Sequence, residues 1–324
     1  MLRIVRPRSS YRRLLSLRPL LKSRPRPSLP LLSQNSTHNP VAKFRAIHTG
    51  PKEIPTKTSN EPKVDLTTFL GPSLPSRVYN LWFQHVPDEQ SLTLPTPEVF
   101  KPWFTKDATF DLECATQFKP ILEAIHQAHP ESQTQAQTEA QAEQILDLVK
   151  PSSPLDWLGL IILLDQLPRN CYRGEESALV FTFFDPISQA ITLRALEQNI
   201  PSSPELRYRL ALRHWFYLPL MHSEDLSHQD LCLEKYREMD EDVRRLLDGT
   251  SSNGLSEKQA TCREVLAKNR EAVNAISAQN LRFQKEHHDI IAQFGRYPYR
   301  NKALKRKSTP EEEKFLTEME ISFG

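Results

Sequence analysis

Three short segments carry side chains that can hold anions or move protons. The stretch LDQLPRNCYRG, Leu164 to Gly174, contains Asp165, Gln166, Arg169, Asn170 and Arg173. FYLPLMHSEDLSHQD, Phe216 to Asp230, contains His222, Glu224 and Asp225, and HHDIIAQFGRYPYRN, His287 to Asn301, contains His287, Arg296, Arg300 and Asn301. Guanidinium forks suit carboxylate and phosphate oxygens bidentately, so Arg169, Arg173, Arg296 and Arg300 could line one cleft for a small anionic ligand. Histidine titrates near neutral pH. Asp165, His222 and His287 could therefore orient that ligand or perform the acid–base steps of a hydrolase. The same residues could instead form a buried polar network that joins helix ends, each carboxylate paired with an arginine. The two readings make different demands: a ligand site, enzymatic or not, needs an open face, whereas a network needs every group paired.

Other chemistries find less support. His222, Glu224, Asp225, His287, His288 and Asp289 are ligand-type residues, but no HExxH or other i, i+4 histidine pair sets two ligands on one helical face, so no metal is expected. No GxSxG elbow and no GxGxxG or GxxxxGK[ST] loop occurs, and no cofactor is expected. Cys114, Cys171, Cys232 and Cys262 are scattered without a CxxC pair and read as reduced, mostly buried thiols. Trp82-Phe83, Trp103-Phe104 and Trp215-Phe216-Tyr217 read as core aromatics.

The elements that must position these groups are helices. The 324 residues include only 8 glycines, too few for the tight turns of sandwiches, barrels or nucleotide-binding sheets. Thr96-Pro97, Ser153-Pro154, Ser203-Pro204 and Thr309-Pro310 share one helix-start chemistry. In each, a hydroxyl caps free N–H groups and proline fills the first helical position. Asp156 and Glu312 complete capping boxes three residues after Ser153 and Thr309. Helices are predicted near 74–85, 107–128, 138–149, 154–167, 175–198, 204–214, 225–247, 258–294 and 310–320, about nine in an all-α bundle of antiparallel helical hairpins. Residues 133–144, rich in glutamine and alanine, read as a solvated helix or insertion.

Within the longest helix, Val273, Ile276, Asn280, Phe283, His287, Ile290 and Phe294 define one inward stripe. On the helix from Ser153 the same spacing puts Leu155, Leu158, Ile162 and Asp165 inside, where a carboxylate must be paired or hydrogen-bonded. Pro168 is expected to end that helix, leaving Arg169 and Asn170 on a turn. Gly295 is expected to cap the long helix. Ser223 is expected to cap the helix after it, with Glu224 and Asp225 in its first turn.

Charge is spread unevenly. Every charged residue before Glu53 is basic, in a serine-rich stretch with interspersed leucines. That is the composition of a matrix-targeting presequence, and Arg45 before Ile47 sets a cleavage point. The expected organisation is a mitochondrial presequence over residues 1–46, a disordered linker over 47–72 and one all-α domain over 73–324 in the mitochondrial matrix. A basic arm that binds nucleic acid or membrane is the alternative for the first segment. Residues 1–46 hold 11 of the 42 basic residues, so 31 face 40 acidic ones in the rest, a net of about −9. An acidic body argues against nucleic acid as a partner, because phosphate neutralisation supplies most of that affinity. No run of about 18 apolar residues is present to span a membrane.

Leu81-Trp82-Phe83, WFTKDATFD (Trp103 to Asp111), the three segments named first, and STPEEEKFL (Ser308 to Leu316) occur in one order along the chain. In these motifs the sequence resembles the domain of unknown function 924 family over most of residues 75–320. The resemblance implies an all-helical, TPR-like domain and brings no reaction with it. A TPR-like groove would take a protein partner between helices, as an alternative to a small anionic ligand. Tyr299 stands where the family's FGRxPHRN pattern has histidine, and Lys305 stands where it has glycine.

Overall fold

The computed structural model of the protein describes residues 64–129, 134–250 and 254–319. The expected presequence and residues 47–63 of the expected linker lie outside them. Among the described residues every regular element is helical. A 3-10 turn, Leu66–Thr68, capped by Asp65, comes first. Its Leu66, with Leu70, is buried in the core, so the disordered linker expected over 47–72 does not extend over these residues. Two leucines four apart have found apolar cover.

The helices that follow are α1 (Leu74–Trp82), α2 (Glu89–Thr93), α3 (Pro97–Phe104), α4 (Ala108–Ala128), α5 (Gln135–Val149) and α6 (Pro154–Asp165). Next come α7 (Leu167–Cys171) and α8 (Ser177–Leu179), which continues through a π turn at Val180–Phe184 into α9 (Asp185–Glu197). Short α10 (Leu210–Arg213) and α11 (Leu218–Met221) lead to α12 (Leu226–Leu247), α13 (Glu257–Lys268), α14 (Arg270–Phe294) and α15 (Pro310–Met319). The expectation of about nine helices missed several of the single-turn pieces, which are too short to show a period.

The core centres on α6, where every residue from Trp157 to Asp165 is buried between α1 and α9. Gly159 permits this: a Cβ there would sit 2.3 Å from the Pro75 carbonyl oxygen, so only glycine lets α1 approach so closely. Thr96, Ser153 and Thr309 cap their helices as expected. Ser203-Pro204 opens no helix. Leu206, Tyr208 and Leu210 are all buried, and that alternate spacing cannot lie on one helical face.

The long helix expected over 258–294 is two. Asn269 leaves the helical conformation, and its Nδ2 donates to the Val265 carbonyl, the local competition that makes asparagine a poor helix-interior residue. The inward stripe survives because it lies wholly within α14. Pro168 does not end a helix on a turn. It sits in the first turn of α7, where its missing N–H costs nothing, and Gln166 alone joins α6 to α7. Helix α5 is not simply solvated: Thr138, Gln141, Ala142 and Ile145 are buried. The expected core aromatics are buried except Phe104, which is 54% exposed. All four cysteines are free and buried. Among the described residues no helix is long and apolar enough to cross a membrane.

Candidate functional site

Four chain segments converge at the C-terminal end of α6. Asp165 is its last residue, and the Gln166 joint turns the chain so that Arg169 on α7 faces back towards it. Helix α11 ends by delivering His222. The π turn ahead of α9 delivers Asp185. Beyond α14, Gly295 takes the left-handed conformation (φ 68) and donates its N–H to the Ile291 carbonyl, ending the helix so that the chain returns with Arg300.

Asp165 is 1% exposed. Its Oδ1 accepts from His222 Nδ1 at 2.8 Å and Arg169 Nη2 at 3.4 Å, and its Oδ2 accepts from Gln166 Nε2 at 2.6 Å. Arg169 Nη2 also donates to Asp185 Oδ1 at 2.6 Å. Arg300 Nη2 lies 3.4 Å from Asp185 Oδ2 and donates to the His222 carbonyl at 2.8 Å, while its Nε donates to the Tyr299 hydroxyl at 3.3 Å. The Arg300 guanidinium stacks over Phe181 at 4.5 Å and Tyr297 at 4.7 Å, so its apolar faces are covered as well as its edge.

Two carboxylates and two guanidiniums balance here. Burial works against every charge in the cluster. For Asp165, His222, Arg169 and Gln166 outweigh burial and hold the carboxyl below its ordinary range. Burial and the Arg169 charge push His222 below the usual histidine value, against the pull of Asp165. At neutral pH the imidazole is therefore neutral, with its Nδ1–H given to Asp165. The lone pair is then on Nε2, on a side chain 18% exposed. Arg169 Nε is buried without a hydrogen-bond partner.

The remaining sequence-predicted residues go elsewhere. Arg173 Nε and Nη2 donate bidentately to Asp111, at 3.1 and 2.7 Å, and Asn170 Nδ2 donates to the same carboxylate at 2.7 Å. Arg296 and Asn301 bind Glu312. Glu224 accepts from Arg306 and from the Tyr297 N–H, and it stays at the edge of the cluster, 3.8 Å from Arg300 Nη1. Asp225, not Ser223, caps α12, accepting from the Ser227 N–H at 2.8 Å. Ser223 Oγ instead accepts from the Asp225 N–H. His287 is buried as its stripe requires, but its Nδ1 donates to the Phe283 carbonyl at 2.7 Å rather than to Asp165, and burial pushes its pKa down to about 4. The four arginines expected in one cleft are thus divided: Arg169 and Arg300 share Asp185, Arg173 holds Asp111, and Arg296 holds Glu312.

Sequence reasoning missed Asp185, the carboxylate that bridges two arginines. The available signal was Pro186 inside a predicted helix, since an internal proline removes a ladder hydrogen bond and marks a distortion. Among the described residues no group of three or more His, Cys, Asp or Glu side chains is placed to hold a metal ion.

A family model described as "Bacterial protein of unknown function (DUF924)" matches residues 78–320. The solved structure of a protein of unknown function from Agrobacterium tumefaciens is similar at 25% identity, covering 76% of this chain and 98% of its own, with a TM-score of 0.43. No curated protein matches the chain.

Proposed function

The chain belongs to the DUF924 family, and from that premise we propose that it is a mitochondrial-matrix, TPR-like protein that binds a small anionic ligand at the Asp165–His222 pair. One observation carries this reading: a neutral, partly exposed His222 is fixed by a buried carboxylate through Nδ1, which leaves Nε2 to accept a hydrogen bond. Beside it, Arg169 Nε is a donor without a partner, and a buried donor left in that state is costly. A ligand's acidic group would meet Arg169, and a hydroxyl or amide N–H on it would meet His222. Because Asp165 and Asp185 already balance the two arginines, each added negative charge is opposed by those carboxylates, so a monoanion fits better than a phosphate dianion.

The test is a thermal-shift screen of the full chain against hydroxycarboxylates, amino acids and phosphorylated metabolites, repeated with His222→Asn and with Arg173→Lys as a remote control. Hydroxycarboxylates or amino acids should stabilise the protein and the control. A stabilisation that survives unchanged in His222→Asn would sink the reading.

The same Asp165–His222 bond favours a second reading, an acid–base hydrolase. A neutral imidazole with a carboxylate behind it can take a proton from water. Any hit of the screen should then be offered as an ester or amide, and a rate that does not fall below the His222 pKa would exclude this role. The matrix location rests on the acid-free basic start of the chain. Residues 1–50 fused to a fluorescent protein should reach mitochondria, and a cytosolic signal would refute it.

A further inference from the structure

Helix α15 is docked in an unusual way. Of its described side chains only one is buried, and that one is a carboxylate, Glu312, 2% exposed. Glu312 accepts from Arg296 Nε at 2.7 Å and Nη2 at 2.9 Å, from Asn301 Nδ2 at 3.1 Å and from the Thr309 N–H at 2.8 Å. The apolar contribution is Phe315 against Phe294, with ring centroids 5.0 Å apart. Both rings belong to a small cluster around Ile290, Ile291 and Tyr297 that is separate from the main core. The seam is bordered by an open cleft of about 450 Å³ lined by Phe294, Arg296, Thr309 and Glu312.

The residues that hold Glu312 also bracket the residues that reach the candidate site. Between Arg296 and Asn301 lie Tyr297, whose N–H donates to Glu224 and whose hydroxyl donates to the Met221 carbonyl, and Arg300, which holds the His222 carbonyl. One strap of six residues, 296–301, thus joins α15 to the Asp165–His222 pair.

We propose that α15 is a charge-held latch that opens as a unit while the main core stays folded, and that its opening loosens the strap and frees Arg300 from His222. A helix of this length does not hold itself in water. Apolar burial does little to hold it here. A buried ion pair contributes little net stability, yet its loss on one side is felt strongly. These are the properties of a segment at the low end of the local-stability range. The latch regulates the ligand site only if that site is real, so its test uses no ligand.

The full chain carrying Glu312→Gln, and separately Phe315→Ala, is followed by amide exchange and by imidazole NMR of His222 and His287. Exchange across Pro310–Met319 should quicken by on the order of tenfold or more, while α6 and α9 keep their protection. The His287 resonance should titrate at higher pH as burial and the nearby Arg300 charge are relieved, and that of His222 as its burial is relieved. Three results would overturn the latch: α15 as well protected as in the parent; α15 opened with both titrations unmoved; or protection lost from α6 and α15 together. If the latch behaves as expected and the ligand screen is blank, only the ligand reading falls.

Discussion

Helices α6 and α15 start alike and are held by opposite means. Each opens with a hydroxyl residue followed by proline, and each closes a capping box with an acid three residues on, Asp156 and Glu312. From Trp157 onward α6 buries everything, whereas α15 buries only the acid of its own capping box among its described side chains. Cap chemistry therefore sets where a helix begins and says nothing about how firmly it is held. Firmness depends on what the rest of the helix faces: apolar neighbours around α6, and a single arginine–carboxylate contact with one aromatic pair at α15.

The largest test of this contrast removes the carboxylate beside α6. Asp185→Ala leaves Arg169 and Arg300 buried without their shared partner and should cost about 3–5 kcal/mol in global stability, measured by urea unfolding. A loss under about 1 kcal/mol would mean that solvent already compensates the arginines. Gly159→Ala attacks the apolar side of the same region. Its Cβ would meet the Pro75 backbone at 2.3 Å, which cannot be relieved by a side-chain rotation, so about 3 kcal/mol should be lost. A neutral outcome would show that α1 and α6 do not approach so closely.

Acid should act on α14 and on α15 at different pH. Burial lowers His287 from 6.5 to about 4 in the folded protein, so the unfolded chain binds a proton there first. Its contribution is complete above pH 6.5 and is lost as pH falls towards 4, roughly 3 kcal/mol in all. Glu312 is held at about 2, chiefly by Arg296, against an ordinary 4.5. Its contribution is present above pH 4.5 and is lost as pH falls towards 2. Protonation of His287, beside Tyr297, should therefore weaken the fold before protonation of Glu312 does, and His287→Gln should flatten the upper part of the pH–stability curve. An unchanged curve in that variant would assign the upper window to other histidines.

The smallest effect belongs to the turn that follows the strap. Lys305 adopts φ 52, a left-handed conformation that suits glycine. Lys305→Gly should relieve strain and stabilise the turn by about 0.5–1 kcal/mol, seen as slower exchange in α15 with little change in the global midpoint. Faster exchange there would show that the lysine is not strained.

Local chemistry was legible in the sequence. The caps at Thr96, Ser153 and Thr309, the Gly295 stop and the inward position of His287 each depend on residues within one or two turns. The glycine expected at the Lys305 position also makes physical sense, since the backbone there adopts the left-handed conformation that glycine favours. What could not be read was which helix ends meet. Arg173 finds Asp111 across 62 residues, and Arg306 finds Glu224 across 82, pairings that leave no trace in local spacing. The four arginines lie at helix ends, yet they are divided among three places: Arg169 and Arg300 at Asp185, Arg173 at Asp111 and Arg296 at Glu312. Ser203-Pro204 shows the reverse failure, a correct start signal overruled by the alternating burial of Leu206, Tyr208 and Leu210.

The π turn at Val180–Phe184 makes the candidate site depend on chain length as well as on residue identity. An α-helix advances about 100° per residue. Deleting one residue from the turn would restore a plain helical ladder and swing the preceding segment around the axis by that angle. Asp185 would stay with α9, but Phe181 would leave its place over Arg300. A frame-preserving loss of three nucleotides could thus dismantle the arginine's aromatic cover while leaving every charged residue of the cluster intact.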